Sequence, residues 1–245
     1  PLGRLHNVTL NLGGGVHGFL GGPADGTAAL CELCAGMRAP KRGVVTLGGC
    51  APAEEPGLRA QIGALLPQPQ LPDVGSVQDL AELSGRPVDW CAFGLAGLAE
   101  RPVTRLVRGE ARAVELALAL SLPQPRLVVL FEPTCDVGAV DGAEVRRRIA
   151  MLADENVPVV VASGSAAELR ELAAHVFILD GGYVVGADEA VAWPGLGVER
   201  LRLWLDAHEV EGRRRLMAAL RGGSAEGGPV AKVGWDPLEA ELTVE

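Results

Sequence analysis

A carboxylate at the end of an uninterrupted apolar run is the first feature with chemical potential. Leu127 to Phe131 are five consecutive apolar residues, followed at once by Glu132, Pro133 and Thr134. A strand buried on both faces of a parallel sheet requires such a run. A carboxylate at its carboxyl end faces a ligand crevice, where it can act as a general base. The second feature is a loop, Gly21-Gly22-Pro23-Ala24-Asp25-Gly26-Thr27-Ala28. A phosphate-cradling loop takes the form G-x-x-x-x-G-K-[ST]. Its glycines let backbone N–H groups converge, its Lys neutralises phosphate, and its hydroxyl ligates Mg²⁺. Both framing glycines, Gly21 and Gly26, are present, but Thr27 stands at the Lys position and Ala28 at the hydroxyl position. Asp25 adds a negative charge to a loop meant for anions. A third feature, the Cys31-x-x-Cys34 pair, has no second CxxC and no His pair to complete a zinc site. Both cysteines fall in an apolar helical run, so core packing is expected of them and no metal site.

The elements that must position these groups alternate. Strands are expected at 4–10 and 16–20, then the glycine-rich loop 21–26 and a helix over 27–37. In that helix Leu30, Leu33 and Cys34 share a face at spacings of three and four. Short strands follow at 44–47 and 62–66, helical pieces at 77–83 and 90–98, a longer helix at 109–121, and the buried strand at 126–131. Helices at 144–153 and 166–173 flank a strand at 158–162. A strand pair, 175–179 and 183–185, is joined by Asp180-Gly181-Gly182, a good hairpin turn. The order predicts an α/β fold: a mostly parallel sheet with helices on both faces, over residues 1–190. After Ala192-Trp193-Pro194-Gly195 the pattern becomes β-α-β-β, with strands at 200–205, 230–235 and 240–244 and a helix near 212–220. A small C-terminal α/β domain is therefore expected over 198–245.

Composition narrows the function classes. The chain has 245 residues, 48% of them hydrophobic and 22% charged, enough for a real core. The net charge of −9 and the absence of a basic stripe argue against nucleic acid as a partner. Arg213, Arg214 and Arg215 are expected to lie on a solvated helix face. Five cysteines with no framework spacing suggest reduced thiols in the cytoplasm. No apolar run reaches the ~18 residues that span a bilayer, and no leader-like segment opens the chain.

Further slots stand in a definite order. Leu66-Pro67-Gln68 ends a strand. Leu106-Val107-Arg108-Gly109-Glu110 opens the long helix, which continues Val114-Glu115-Leu116-Ala117-Leu118-Ala119-Leu120 and closes at Pro125-Arg126. LVVLFEPT comes next, then Val159-Val160-Val161-Ala162-Ser163-Gly164-Ser165 and Phe177-Ile178-Leu179-Asp180-Gly181-Gly182. Over residues 1 to about 187 this series resembles the nucleotide-binding subunit of an ATP-binding cassette (ABC) transporter, a P-loop NTPase fold. The small C-terminal unit is similar by pattern to the extension of drug-exporter-type subunits that serve ABC-2-like permeases.

The resemblance assigns roles, and many of the assigned positions are altered. Glu132 matches the catalytic glutamate and Gln68 the lid glutamine. Thr27 replaces the phosphate-binding Lys, Ala28 the Mg²⁺ hydroxyl, and Phe131 the Mg²⁺-linked Asp. Val107 replaces the signature Ser and Arg108 its first Gly, with Gly109 retained, and Gly164 replaces the switch His. A hydrogen bond to a charged group is worth about 1.5–3 kcal/mol. Loss of the Lys and two metal supports thus costs roughly 5 kcal/mol, a factor of several thousand in affinity. The expectation is a catalytically inactive pseudo-ATPase with no bound cofactor. It would act as scaffold or regulator beside an integral membrane permease and either a competent ABC ATPase or a second copy of itself. Its place would be the cytoplasm, at the inner face of the cell membrane. Two alternatives stay open. One is a weak Mg-ATP-binding ATPase in an asymmetric dimer. The other is a soluble interaction module unconnected with transport.

Overall fold

The computed structural model describes residues 4–68, 71–136 and 140–189, together with the backbone of three later strands. The chain divides into two compact units, Pro1–Val191 and Ala192–Glu245.

The first unit is built on a six-stranded sheet. Its strands are β1 (Gly15–Leu20), β2 (Ile62–Leu65), β3 (Leu127–Phe131), β4 (Pro158–Ser163), β5 (His175–Asp180) and β6 (Tyr183–Glu189), in the spatial order β2-β3-β4-β1-β5-β6. All neighbours are parallel except β5 and β6, which form an antiparallel hairpin at one edge. The helices are α1 (Thr27–Cys34), α2 (Pro56–Arg59), α3 (Val77–Leu83), α4 (Arg108–Leu120), α5 (Gly142–Asp154) and α6 (Ala166–Leu172).

Strand alternation divides the core into two layers. Along β3, Val128 and Leu130 join a cluster that includes Leu80, Val114, Leu116, Ile149 and Leu169, drawn from α3, α4, α5 and α6. Leu127, Val129 and Phe131 join the other cluster, with Ala28, Leu30 and Cys31 of α1. This two-sided burial explains the unbroken apolar run of β3 and meets the expectation of a mostly parallel sheet covered on both faces.

Two expected strands do not form. Residues 4–10 are irregular, because Asn7 adopts φ +50°, a left-handed conformation incompatible with a strand. The apolar residues of the region still bury partially, Leu5, Leu10 and Leu12 packing against the α1-side cluster. Residues 44–47 contribute only a single bridge, Leu47 to Cys50, closed by a glycine turn. The helical piece expected at 90–98 reduces to turns and a short 3₁₀ segment, Ala96–Leu98. In contrast, α3 holds its expected bounds. Ser76 accepts the Asp79 N–H and Asp79 accepts the Ser76 N–H, a reciprocal cap.

In the second unit β7 (Leu201–Trp204), β8 (Val233–Asp236) and β9 (Glu241–Val244) form an antiparallel sheet in the order β7-β9-β8. The helix expected near 212–220 lies outside the described residues, as does the Arg213–Arg215 run.

One carboxylate in α5 sets a pH dependence. Glu144 accepts two hydrogen bonds from Arg147, at 2.6 and 2.7 Å, and one from Arg148 at 2.8 Å. The Arg147 bonds foremost pull its carboxyl down to about 2. A carboxyl depressed on folding stabilises the native state above its unfolded value, roughly 4.3. That contribution disappears as pH falls from there toward 2. Both arginines reach solvent, so the effect is at most about 2 kcal/mol. The expected result is a melting temperature that falls more steeply between pH 5 and pH 3 in the wild type than in Glu144→Gln, as followed by circular dichroism.

Candidate functional site

The phosphate-loop slot lies between β1 and α1, and four of its backbone donors are bonded to the protein's own acceptors. Gly21 donates its N–H to the Ser163 carbonyl at 3.1 Å, across the end of β4. Gly22 donates to Asp25 Oδ2 at 2.9 Å. Asp25 donates back to the Gly22 carbonyl at 3.0 Å, and Gly26 to that of Pro23 at 3.5 Å. Pro23–Asp25 is thereby wound into one 3₁₀ turn. A loop that wraps an anion must instead aim its N–H groups inward. Thr27 is fully buried and its hydroxyl donates to the Gly22 carbonyl at 2.8 Å. Gly26 has φ +103° and leads directly into α1, so a left-handed residue is needed there.

At the carboxyl end of β3, the Phe131 side chain is 6% exposed and belongs to one buried cluster with Ala28, Phe19, Cys31, Val129 and Ala162. The positions matched to the magnesium hydroxyl and the magnesium-linked carboxylate therefore share a single apolar layer. Glu132 follows with φ +47°. Its Oε1 accepts the Gly164 N–H at 2.9 Å, and its Oε2 lies 3.3 Å from the Ser163 hydroxyl. That hydroxyl bonds more closely to Glu168 Oε2, at 2.5 Å, and Glu168 Oε1 accepts the Thr134 N–H at 3.1 Å. The surviving glutamate is thus tied to the backbone after β4, and Gly164 holds it by an amide where a side chain was expected.

A further residue organises this end of the sheet. Arg112 of α4 is 3% exposed. Its Nη1 donates to the Leu66 carbonyl at 3.0 Å, and its Nη2 to those of Phe131 and Glu132 at 2.8 and 3.1 Å. One guanidinium ties β2, just before Gln68, to the end of β3. The available signal was helical spacing: residue 112 falls four before Leu116 and eight before Leu120, on the face directed at the sheet. Gln68 is exposed, beyond the end of β2.

The signature slot begins α4. Val107 caps the helix and is 65% exposed. Its N–H goes to Glu110 Oε2 at 3.0 Å, and Glu110 is held by Arg101 at 2.5 Å. Valine has no oxygen to return the cap, so only half of a capping box is made. Arg108 is exposed, and Gly109 packs near the Asp136 carbonyl, 3.2 Å from where a Cβ would lie. Residues 107–109 share no hydrogen bond with the phosphate loop among the described residues. The structure therefore gathers Gly21, Gly26, Thr27, Ala28, Phe131, Glu132 and Gly164 at one end of the sheet and leaves Val107 and Arg108 facing outward.

Both thiols of the CxxC pair lie on α1. Burial raises the Cys31 thiol well above its usual range and pushes Cys34 up to about 11, which disfavours the thiolate that metal or redox chemistry needs. Among the described residues no group of three His, Cys, Asp or Glu is placed to hold a metal ion.

Known proteins share both sequence and fold. The chain is 31% identical over 201 residues to the molybdenum import ATP-binding protein ModC of Rhizobium etli, covering 73% of this chain and 55% of that protein. It is 27% identical over 210 residues to the methionine import ATP-binding protein MetN of Cereibacter sphaeroides, covering 76% and 58%. The chain thus spans little more than half the length of these curated relatives. Among solved structures, the ATP-binding subunit of an ABC transporter superposes with a TM-score of 0.65 at 17% identity, covering 77% of this chain and 87% of that one. A dimeric post-hydrolysis ATP-binding cassette bound to ADP and Pi gives 0.61 at 18% identity, covering 76% and 90%. No protein-family model matches the chain.

Proposed function

Because the chain carries the P-loop ABC ATPase fold, and its relatives are ATP-binding subunits of that type, we propose that residues 1–190 form a nucleotide-binding domain that no longer hydrolyses ATP. In this reading the subunit is a scaffold or regulator of a membrane transport complex. It is held at the inner face of the membrane by a permease and paired with a competent ATPase or a second copy of itself.

The observation that carries the reading is the burial of Phe131 and Ala28 in one apolar cluster. A magnesium ion takes six oxygen ligands in near-octahedral array. The side chains of Phe131 and Ala28 supply none, and a buried aromatic ring cannot be exchanged for a hydrated ion without losing its packing. The Gly22 and Asp25 N–H groups, bonded to acceptors of the loop itself, support the same conclusion. The residues present do not fit Mg-ATP.

Titration calorimetry with Mg-ATP tests it. The expected dissociation constant is weaker than about 100 μM, equivalent to about −5.5 kcal/mol, with no phosphate release above a blank. Tighter binding, or turnover that disappears in Glu132→Gln, would refute it.

A second reading has specific support in the retained Glu132 and Gln68 and in Arg108, exposed at the start of α4. There the chain is the weaker half of an asymmetric dimer, with Arg108 offering its charge to the partner's γ-phosphate. Stimulation of a co-purified ATPase, lost in Arg108→Ala, separates this from a pure scaffold. Two features bear on direction: the relatives are named as import proteins, whereas the short unit 198–245 resembles exporter-type extensions. The identity of the polytopic protein that co-purifies with the chain decides between them.

A further inference from the structure

We infer that Asp25 is a latch: the loop's own anion, which holds the phosphate slot shut and bars polyphosphates from it. The inference deepens the inactive reading above and rests on it, by naming what keeps an anion out.

Asp25 joins two segments that are distant in sequence. Its Oδ2 accepts the Gly22 N–H at 2.9 Å and its Oδ1 accepts the Gly181 N–H at 3.3 Å. Its backbone carbonyl accepts the Gly182 N–H at 3.0 Å. A single residue thus docks the β5–β6 turn onto the loop between β1 and α1, using both carboxylate oxygens and its main chain. Carboxylate bonds to backbone N–H groups are charge-assisted and stronger than neutral ones.

A third segment closes over the same turn. His6 donates its N–H to the Gly182 carbonyl at 2.8 Å. The His6 ring stacks on Tyr183, centroid to centroid 5.2 Å. Leu5 Cδ2 lies 2.8 Å from where a Cβ on Gly26 would stand, and a Cβ on Gly182 would run into the Arg4 carbonyl oxygen. Gly182 itself has φ +92°, so the turn depends on glycine twice over. Residues 4–6, 22–26 and 181–183 therefore interlock around one carboxylate.

The electrostatic consequence has a fixed sign. A phosphate arriving at the loop meets a negative charge already bonded to one of the loop's N–H groups, and like charges at contact distance repel. To bind, it must displace Asp25 and release the turn.

The latch is tested with inorganic pyrophosphate, without metal, against the wild type and Asp25→Ser. The wild type is expected to give no binding heat. Asp25→Ser is expected to bind pyrophosphate at least roughly tenfold more tightly, and its Gly22 and Gly181 amides to exchange hydrogen at least roughly tenfold faster. If Asp25→Ser does not fold, Asp25→Asn, which keeps the shape and removes the charge, replaces it. Unchanged pyrophosphate binding in a folded variant overturns the latch and leaves the inactive reading intact, even if the two amides exchange faster. Tight Mg-ATP binding by the wild type overturns both.

Discussion

Phe131→Asp, the substitution that restores the carboxylate of an active cassette, is expected to destabilise the chain by about 4 kcal/mol or more and to restore no ATP turnover. Removal of a buried aromatic side chain costs about 3–5 kcal/mol through lost packing and the cavity left behind. The carboxylate placed there must also be desolvated, which costs further unless a cation meets it. The nearby cation is Arg112, but its guanidinium bonds the Phe131 carbonyl from the α4 side. The Phe131 side chain belongs to the opposite layer, with Phe19 and Cys31 of the α1 side. Strand alternation therefore keeps the new charge from Arg112. Phe131→Leu, which keeps an apolar side chain, is expected to cost less than about 1.5 kcal/mol. Urea unfolding of the three proteins measures both differences. If Phe131→Asp lost less than about 1 kcal/mol and bound Mg²⁺, the site would be polar and ready for metal, and the apolar-plug account would fail.

How far the molecule was legible depended on how local its determinants were. Strand β3 announced itself because burial on both faces leaves no polar position to interrupt the run. Helix α3 was bounded correctly at its start because the signal is local, Ser76 at the cap and Asp79 three residues on. The strands expected at 4–10 and 44–47 failed because apolar residues at alternating positions do not by themselves supply a partner strand. Asn7 in a left-handed conformation broke the first, and a glycine turn closed the second into a single bridge. In the site, the altered positions were legible by motif, and Thr27, Ala28, Phe131 and Gly164 lie at one end of the sheet. The contacts that give those alterations their meaning were not. Asp25 was visible as a misplaced charge, but its bond to Gly181 spans 156 positions and no spacing rule predicts it. The bond from Gly164 to Glu132 spans 32 positions, and it uses a backbone amide, which every residue but proline carries and which no residue type advertises.

Arg112 is the second position with a large expected effect. Arg112→Ala is expected to lose about 4 kcal/mol of stability and Arg112→Lys about 2 kcal/mol. The guanidinium makes three hydrogen bonds to carbonyl oxygens at the ends of two strands. Each bond to a charged group contributes about 1.5–3 kcal/mol, less the cost of burying the cation. Truncation leaves three carbonyls without that partner in a region where only 3% of Arg112 itself reaches water. Lysine keeps the charge but is a point donor, and it cannot bridge Leu66 and the Phe131–Glu132 pair with the planar fork of arginine. The consequence extends to the surviving glutamate. Glu132 sits at φ +47°, a conformation costing roughly 1 kcal/mol for a residue with a side chain. Its carbonyl is one of the three acceptors, so the clamp helps to pay for that strain. In Arg112→Ala the backbone at 132 is expected to relax, release its carboxylate from the Gly164 amide, and expose that amide to exchange. Hydrogen exchange at Gly164, together with urea unfolding, separates this from a general loss of stability. Protection lost at Gly164 under conditions where the β3 amides stay protected identifies the clamp as the holder of Glu132. Loss in parallel at both would mean that Arg112 supports the sheet alone.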